Sequence, residues 1–259
     1  MYVEDPSALH VQRVKILERA GVAPPAEWVT LHHRHQAYTA LQTPCRDALV
    51  AAVVTGDEDI AALRALAYAE AVRPQVEAQI GHVVKQAVLE RLTAAYSPRV
   101  DKAYATIRTQ FDAAATALVQ AMNTIDPDTD ARDITRADDT TRKAWWAAEE
   151  RSAELNRLLE PIAAGAALCG LRHTDKRETL IALTVDPQAA DRTAIWQAWL
   201  IKPGTSRGGR WAALVKAGAA VRAHPDPASA APYGQSDPEP TLTPIDPVRR
   251  RPTGRMTAR

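Results

Sequence analysis

The chain reads as an all-α protein, and three observations predict it. The first is an unbroken apolar ladder of Val100, Tyr104, Ile107, Phe111, Ala114, Leu118, Ala121 and Ile125, alternating steps of four and three. The second is an answering run of Trp145, Ala148, Ser152, Leu155, Leu159, Ile162, Ala166 and Cys169 at the same spacing. A helix carrying such a stripe buries one narrow seam against another helix. The third is the polar, acidic connector Asp126-Pro-Asp-Thr-Asp-Ala-Arg-Asp133 between them. Two complementary stripes joined by a breaker predict a long antiparallel hairpin over residues 98–168, open to projecting from the rest. Each arm would be about 40 Å long.

The composition agrees. Hydrophobic residues make up 46% of 259, but there is one Phe beside six Trp and six Tyr, and alanine supplies much of the rest. Small side chains let helices approach closely while burying little area each, which favours thin helical layers or burial against partner subunits. Formal charge is +1, from 32 basic and 31 acidic residues, so no global field points to nucleic acid. The N-terminus lacks a basic region followed by an apolar one, and no apolar run approaches the ~20 residues that span a bilayer. A cytosolic setting is expected, or packing into something assembled there.

The elements follow in order. Ser7 to Ala20 reads as a first helix, with Asp5 or Ser7 as cap, Pro6 at an early position, Gly21 as terminator and Leu9, Val14 and Leu17 inward. Pro24-Pro25 punctuates, and Glu27 to Gln42 continues with Trp28, Leu31, Tyr38 and Leu41 inward. Thr43-Pro44 restarts a short helix, Cys45 to Val54, that closes an N-terminal helical bundle over residues 1–56. From Asp57 a helix carrying Ile60, Leu63 and Leu66 meets Pro74, where a kink or break is expected. It resumes through Val76, Ile80, Val83 and Ala87, and Ser97-Pro98 restarts the chain into the hairpin region, residues 57–169.

A C-terminal helical region, residues 170–223, follows. Thr179 to Val185 is its β-branched run, either a short strand or a buried helical turn. Asp186-Pro187 starts a helix holding Ile195, Trp196, Trp199 and Leu200. Lys202 to Gly209 is a loop, and Arg210 to Ala223 a last amphipathic helix. Residues 224–259 hold eight of the eighteen prolines and read as an extended tail that adds little to the stability of the body.

Site chemistry is sparse, and no catalytic constellation, cofactor site or metal site is discernible. Cys45 and Cys169 lack metal-ligand spacing and read as buried thiols. His32, His33 and His35 have no fourth ligand nearby and read as a solvated helix face. Asp126, Asp128 and Asp130 open like a calcium-binding loop, but Ala131 and Ala137 stand where its glycine and glutamate belong. The glycine-bearing loop from Gly204 to Gly209 lacks the lysine–serine pair of a phosphate cradle. Arg207, Arg210, Lys216 and Arg222, beside Trp211, form a candidate nucleic-acid face. In the Trp145-Trp146 pair, Trp145 belongs to the seam. Trp146 points sideways, either onto the N-terminal bundle or outward as an inter-subunit anchor. In the tail, Leu242, Ile245 and Val248 would serve as small anchors, and Arg249, Arg250 and Arg251 as a basic tip.

The segments Asp57-Glu-Asp-Ile-Ala-Ala-Leu-Arg-Ala-Leu-Ala-Tyr-Ala-Glu70 and Asp101-Lys-Ala-Tyr-Ala-Thr-Ile-Arg-Thr-Gln-Phe-Asp-Ala-Ala-Ala115 resemble helical virion and assembly proteins of tailed phages of actinobacteria. The resemblance is compositional, covers residues 45–170 and transfers no functional residue. It implies a non-enzymatic structural or assembly role in a virion built in host cytoplasm: a capsid-associated, scaffold-like or connector component. Its partners would be other structural proteins of the same assembly, with the chain a homo-oligomer or shell-bound subunit and no membrane contact. A nucleic-acid-binding helical protein and a small hydrolase with an unrecognised site are the alternatives.

Overall fold

The structure is a computed structural model that describes residues 5–40, 61–65, 74–202, 204, 206–231 and 233. The Asp5 carboxylate caps α1 (Pro6–Arg19), accepting from the Ser7 backbone N–H at 3.1 Å and the Ser7 hydroxyl at 2.8 Å. Pro6 fills the first turn, where a missing N–H costs nothing. Gly21, at φ +91°, reverses the chain into α2 (Ala26–Ala40). Residues 61–65 are helical, and α3 (Pro74–Tyr96) begins at the proline expected to break the helix. The Cys45–Val54 helix lies outside the described residues.

A single 3-10 turn, Ser97–Arg99, leads into α4 (Val100–Thr124). The connector holds one helical turn, α5 (Ala131–Ile134), capped by Asp130. The return arm is α6 (Asp139–Leu168), capped by Asp138, and it runs through Pro161 without ending. Arms of 25 and 30 residues pack against each other along an antiparallel seam. Tyr104, Ile107, Phe111, Ala114, Leu118 and Ala121 are buried from α4, and Trp145, Ala148, Ser152, Leu155, Ile162 and Ala166 from α6. The molecule is all-α in character, built around the expected hairpin.

The hairpin does not project. One continuous core runs from Val14 and Leu17 of α1 and Trp28 of α2, through Leu92 and Tyr96 of α3, into the seam and on into the C-terminal elements. α1 lies across α6 at Gly165, where an added Cβ would stand 3.1 Å from the Tyr104 ring and 3.7 Å from Leu17. α3 uses a different stripe from the one its heptad spacing suggested. Ile80 and Val83 are 54% and 63% exposed and Ala87 is exposed, whereas Leu92 and Tyr96, one turn apart, face α1 and α2. The helix carries two apolar stripes, and its neighbours cover the second.

Beyond the hairpin, the β-branched run is both things it could have been. α7 (Arg177–Thr184) passes directly into β1 (Val185–Asp186). The next helix does not start at Asp186-Pro187: α8 (Arg192–Leu200) is capped by Asp191, whose carboxylate accepts from the Ala194 N–H at 3.0 Å. The last helix is shorter than expected. α9 (Gly209–Lys216) stops at Ala217-Gly218, Gly218 turns at φ +86°, and the chain becomes β2 (Ala220–Val221). β1 and β2 pair antiparallel, Val185 against Val221 and Asp186 against Ala220. Among the described residues no helix is long and apolar enough to cross a membrane.

The start of the expected free tail is part of the body. His224 donates its backbone N–H to the Leu183 carbonyl at 2.8 Å, and its own carbonyl accepts from the Tyr104 hydroxyl at 2.8 Å. The Ala223 N–H donates to the Asp112 carboxylate at 2.7 Å, Ala230 is buried, and the Tyr233 N–H donates to the Glu178 carbonyl at 3.1 Å. Backbone hydrogen bonds and the burial of Ala223 and Ala230 in the core hold this stretch, without an apolar periodicity. Tyr104→Phe should therefore cost about 1 kcal/mol in chemical denaturation. Truncation after residue 222 should melt lower than truncation after residue 233.

Candidate functional site

The connector end of the hairpin is built from charge and aromatic faces. Asp126 and Asp128, which resembled the opening of a calcium loop, hold a cation the chain itself provides. The Lys216 ammonium of α9 donates to Asp126 at 2.7 Å and Asp128 at 2.9 Å. The hydrogen bond from Lys216, with the Asp128 N–H, holds the Asp126 carboxyl below the usual range. Burial pulls Lys216 down, but its two carboxylates outweigh that and keep it above its ordinary value. Asp130 is engaged elsewhere, capping α5. Pro127 packs on buried Gly208, so closely that a Cβ there would meet Ala212 and Pro127. The Ser152 hydroxyl of the seam donates to the Gly208 carbonyl at 3.0 Å.

On this platform stand the paired tryptophans. Trp145 is buried and donates its indole N–H to the Thr129 carbonyl at 3.2 Å. Trp146 meets it edge to face, centroids 5.2 Å apart and planes at 78°, and is 60% exposed. Among the described residues its ring contacts are Trp145 and Arg207, neither in the N-terminal helices. The Arg207 guanidinium lies 3.3 Å over the Trp145 ring and 4.7 Å from the Trp146 centroid, and forms a close ion pair with Glu149 one turn along α6. Each contact is worth about 0.5–1.5 kcal/mol, and together they fix the orientation of an exposed indole. Exposed Arg142, Lys143, Glu149 and Glu150 flank Trp146 on α6, so an aromatic face stands among polar side chains.

The four residues of the candidate nucleic-acid face are not equivalent. Arg207 belongs to the tryptophan stack and Lys216 to the connector clamp. Arg222 pairs closely with Asp186 across the β1–β2 ribbon. Arg210 is half-buried over Trp199 and meets no carboxylate among the described residues. Three of the four charges are thus balanced within the chain. Leu242, Ile245, Val248, Arg249, Arg250 and Arg251 lie outside the described residues, as does Cys45. Cys169 is a half-buried thiol that desolvation and nearby Asp101 push up to about 11, which keeps it protonated.

A second cluster escaped the sequence reading. His32 is not on a solvated face: it is buried with its ring 5.0 Å from Trp28, and neither ring nitrogen has a hydrogen-bond partner. The Trp28 indole donates to His10 Nε2 at 3.2 Å, and the His10 ring meets Tyr96 edge to face at 6.3 Å. His33 is exposed and His35 intermediate, so the three histidines do not converge. The missed signal was His10 on the same α1 stripe as Val14 and Leu17. No family model, curated protein or solved structure matches this chain, so the functional reading rests on the geometry above.

The histidine cluster has a pH consequence. Burial, with repulsion from Arg13, holds His10 below the ordinary imidazole range, and burial with Lys15 does the same for His32. The folded chain then binds fewer protons here than the unfolded one. This contribution to stability is complete above about pH 6.5 and lost as pH falls toward the folded values. Thermal melting should fall between pH 7.5 and pH 5.5, a window in which carboxylates stay ionised. His32→Phe should flatten that dependence.

Proposed function

We propose that this chain is a non-enzymatic structural or assembly protein, a component of a phage particle assembled in host cytoplasm. It would act through packed helices and an interaction surface centred on Trp146. The observation that carries the reading is that one indole: 60% exposed, yet braced by Trp145, Arg207 and Glu149 on an interlocked platform. A surface tryptophan held in one orientation loses little entropy when a partner covers it. Its partners would be further copies of the chain or other structural proteins of the same assembly. The proline-rich segment belongs to the proposal as a second contact, with Leu242, Ile245 and Val248 as anchors and Arg249, Arg250 and Arg251 as a salt-sensitive tip.

The nucleic-acid alternative has weaker support, because Arg207, Lys216 and Arg222 already face carboxylates of the same chain. The hydrolase alternative draws no support from Cys169, whose thiol is held protonated.

Trp146→Ala tests the reading. In the isolated chain it should cost no more than about 1 kcal/mol, since the side chain is exposed. In assembly it should weaken self-association or incorporation about tenfold or more, read by sedimentation and by mass spectrometry of purified particles. Normal stoichiometry of the variant in particles, or turnover of a substrate by the purified monomer, would overturn the proposal.

A further inference from the structure

Arg177 and Arg210 occupy the first turns of α7 and α9, the helix end where the backbone dipole disfavours positive charge. No side chain caps α7 or α9 from its N-cap position. Each guanidinium lies over a tryptophan: Arg177 is 5.8 Å from the Trp196 centroid and Arg210 is 5.0 Å from that of Trp199. The two rings are one turn apart on α8, and the two cations they carry are near enough to repel each other. Among the described residues neither arginine has a carboxylate within ion-pair distance, and Glu178, in the same turn as Arg177, pairs with neither. Arg207, Lys216 and Arg222 all do meet carboxylates.

The arrangement is costly as it stands. The Arg210 Nε–H is buried and bonds nothing, while its Nη donors bond no atom of the described chain and stay reachable. Burial and repulsion from Arg177 both lower the Arg210 pKa. A guanidinium does not shed its proton near neutral pH, so the charge persists. An anion between the two cations would relieve the repulsion, use the free forks and meet the uncapped N–H groups of α7.

We propose that Arg177 and Arg210, held on the Trp196 and Trp199 rings, form a binding site for a phosphate dianion, either free or as the monoester of a small molecule. Two forked cations match two negative charges on one phosphorus centre, whereas each phosphate of a diester backbone carries one. The site is independent of the Trp146 surface and does not rest on the assembly reading.

The test is isothermal titration calorimetry of the full-length chain in chloride buffer. Inorganic phosphate and phenyl phosphate are the probes, with a short single-stranded oligonucleotide as the diester arm. Saturable single-site binding of at least one of the two dianions is expected. Tighter phenyl phosphate identifies a monoester site, and tighter inorganic phosphate a free-ion site. Arg177→Glu, at an exposed position, should keep the fold and weaken binding about tenfold or more, the loss of one charged hydrogen-bonding partner. Arg210→Lys, which keeps the charge and the packing on Trp199, should weaken it less. No saturable heat with either dianion would overturn the site. So would binding unchanged in Arg177→Glu, or oligonucleotide binding that phosphate does not compete.

Discussion

The seam between the two hairpin arms is the constraint on which the rest of the molecule depends. Its facing positions alternate large residues with Ala114, Ala121, Ala148 and Ala166, which lets α4 and α6 approach closely. The close approach comes at the expense of area. Burying a Leu, Ile or Phe contributes about 1.5–3 kcal/mol, and a methyl group about 0.8. Such a hairpin does not supply a full core by itself, so other elements are drawn onto it. α1 seats Leu17 at Gly165, and the C-terminal region sends in its largest side chains.

The aromatic chain shows how that recruitment works. Phe111, the one phenylalanine of the protein, meets Trp211 edge to face at 5.6 Å, and Trp211 meets Trp199 in the same way at 5.6 Å. The Trp211 indole N–H is satisfied by Asn156 of α6 at 3.1 Å, so a polar atom enters the core without an orphaned donor. Three rings therefore tie the outgoing arm to α9 and α8, and one hydrogen bond ties α9 to the return arm. The body of the protein is the hairpin plus what its small side chains leave room for.

Charge is distributed by the same geometry. Basic residues that look alike along the chain become four different things in space: a clamp on the connector (Lys216), a stacked brace (Arg207), a ribbon pair (Arg222) and a half-buried cation with no carboxylate partner among the described residues (Arg210). The acidic connector is held shut by α9, which closes the hairpin end and supports Trp145 and Trp146. What looked like a loop between two arms is a junction of three elements.

Periodicity and punctuation are local properties, and they were legible in the chain. The two ladders, the Asp5 cap with Pro6 and the acidic connector all depend on residues within a turn or two of each other, so the sequence by itself determined α1 and the hairpin. It also singled out Trp146 as the tryptophan off the seam. Other features depend on partners distant in sequence, and only the tertiary structure decided them. α3 carries two apolar stripes, and which is buried is settled by where α1 and α2 lie. His32 is buried because Trp28 and the packing around it enclose it. Ala223 and His224 are held through their backbone by Asp112 and Tyr104, more than a hundred positions earlier, and such bonds leave no pattern in side-chain polarity. The balance of each arginine turns on whether a carboxylate happens to face it, and spacing along a chain carries no record of that.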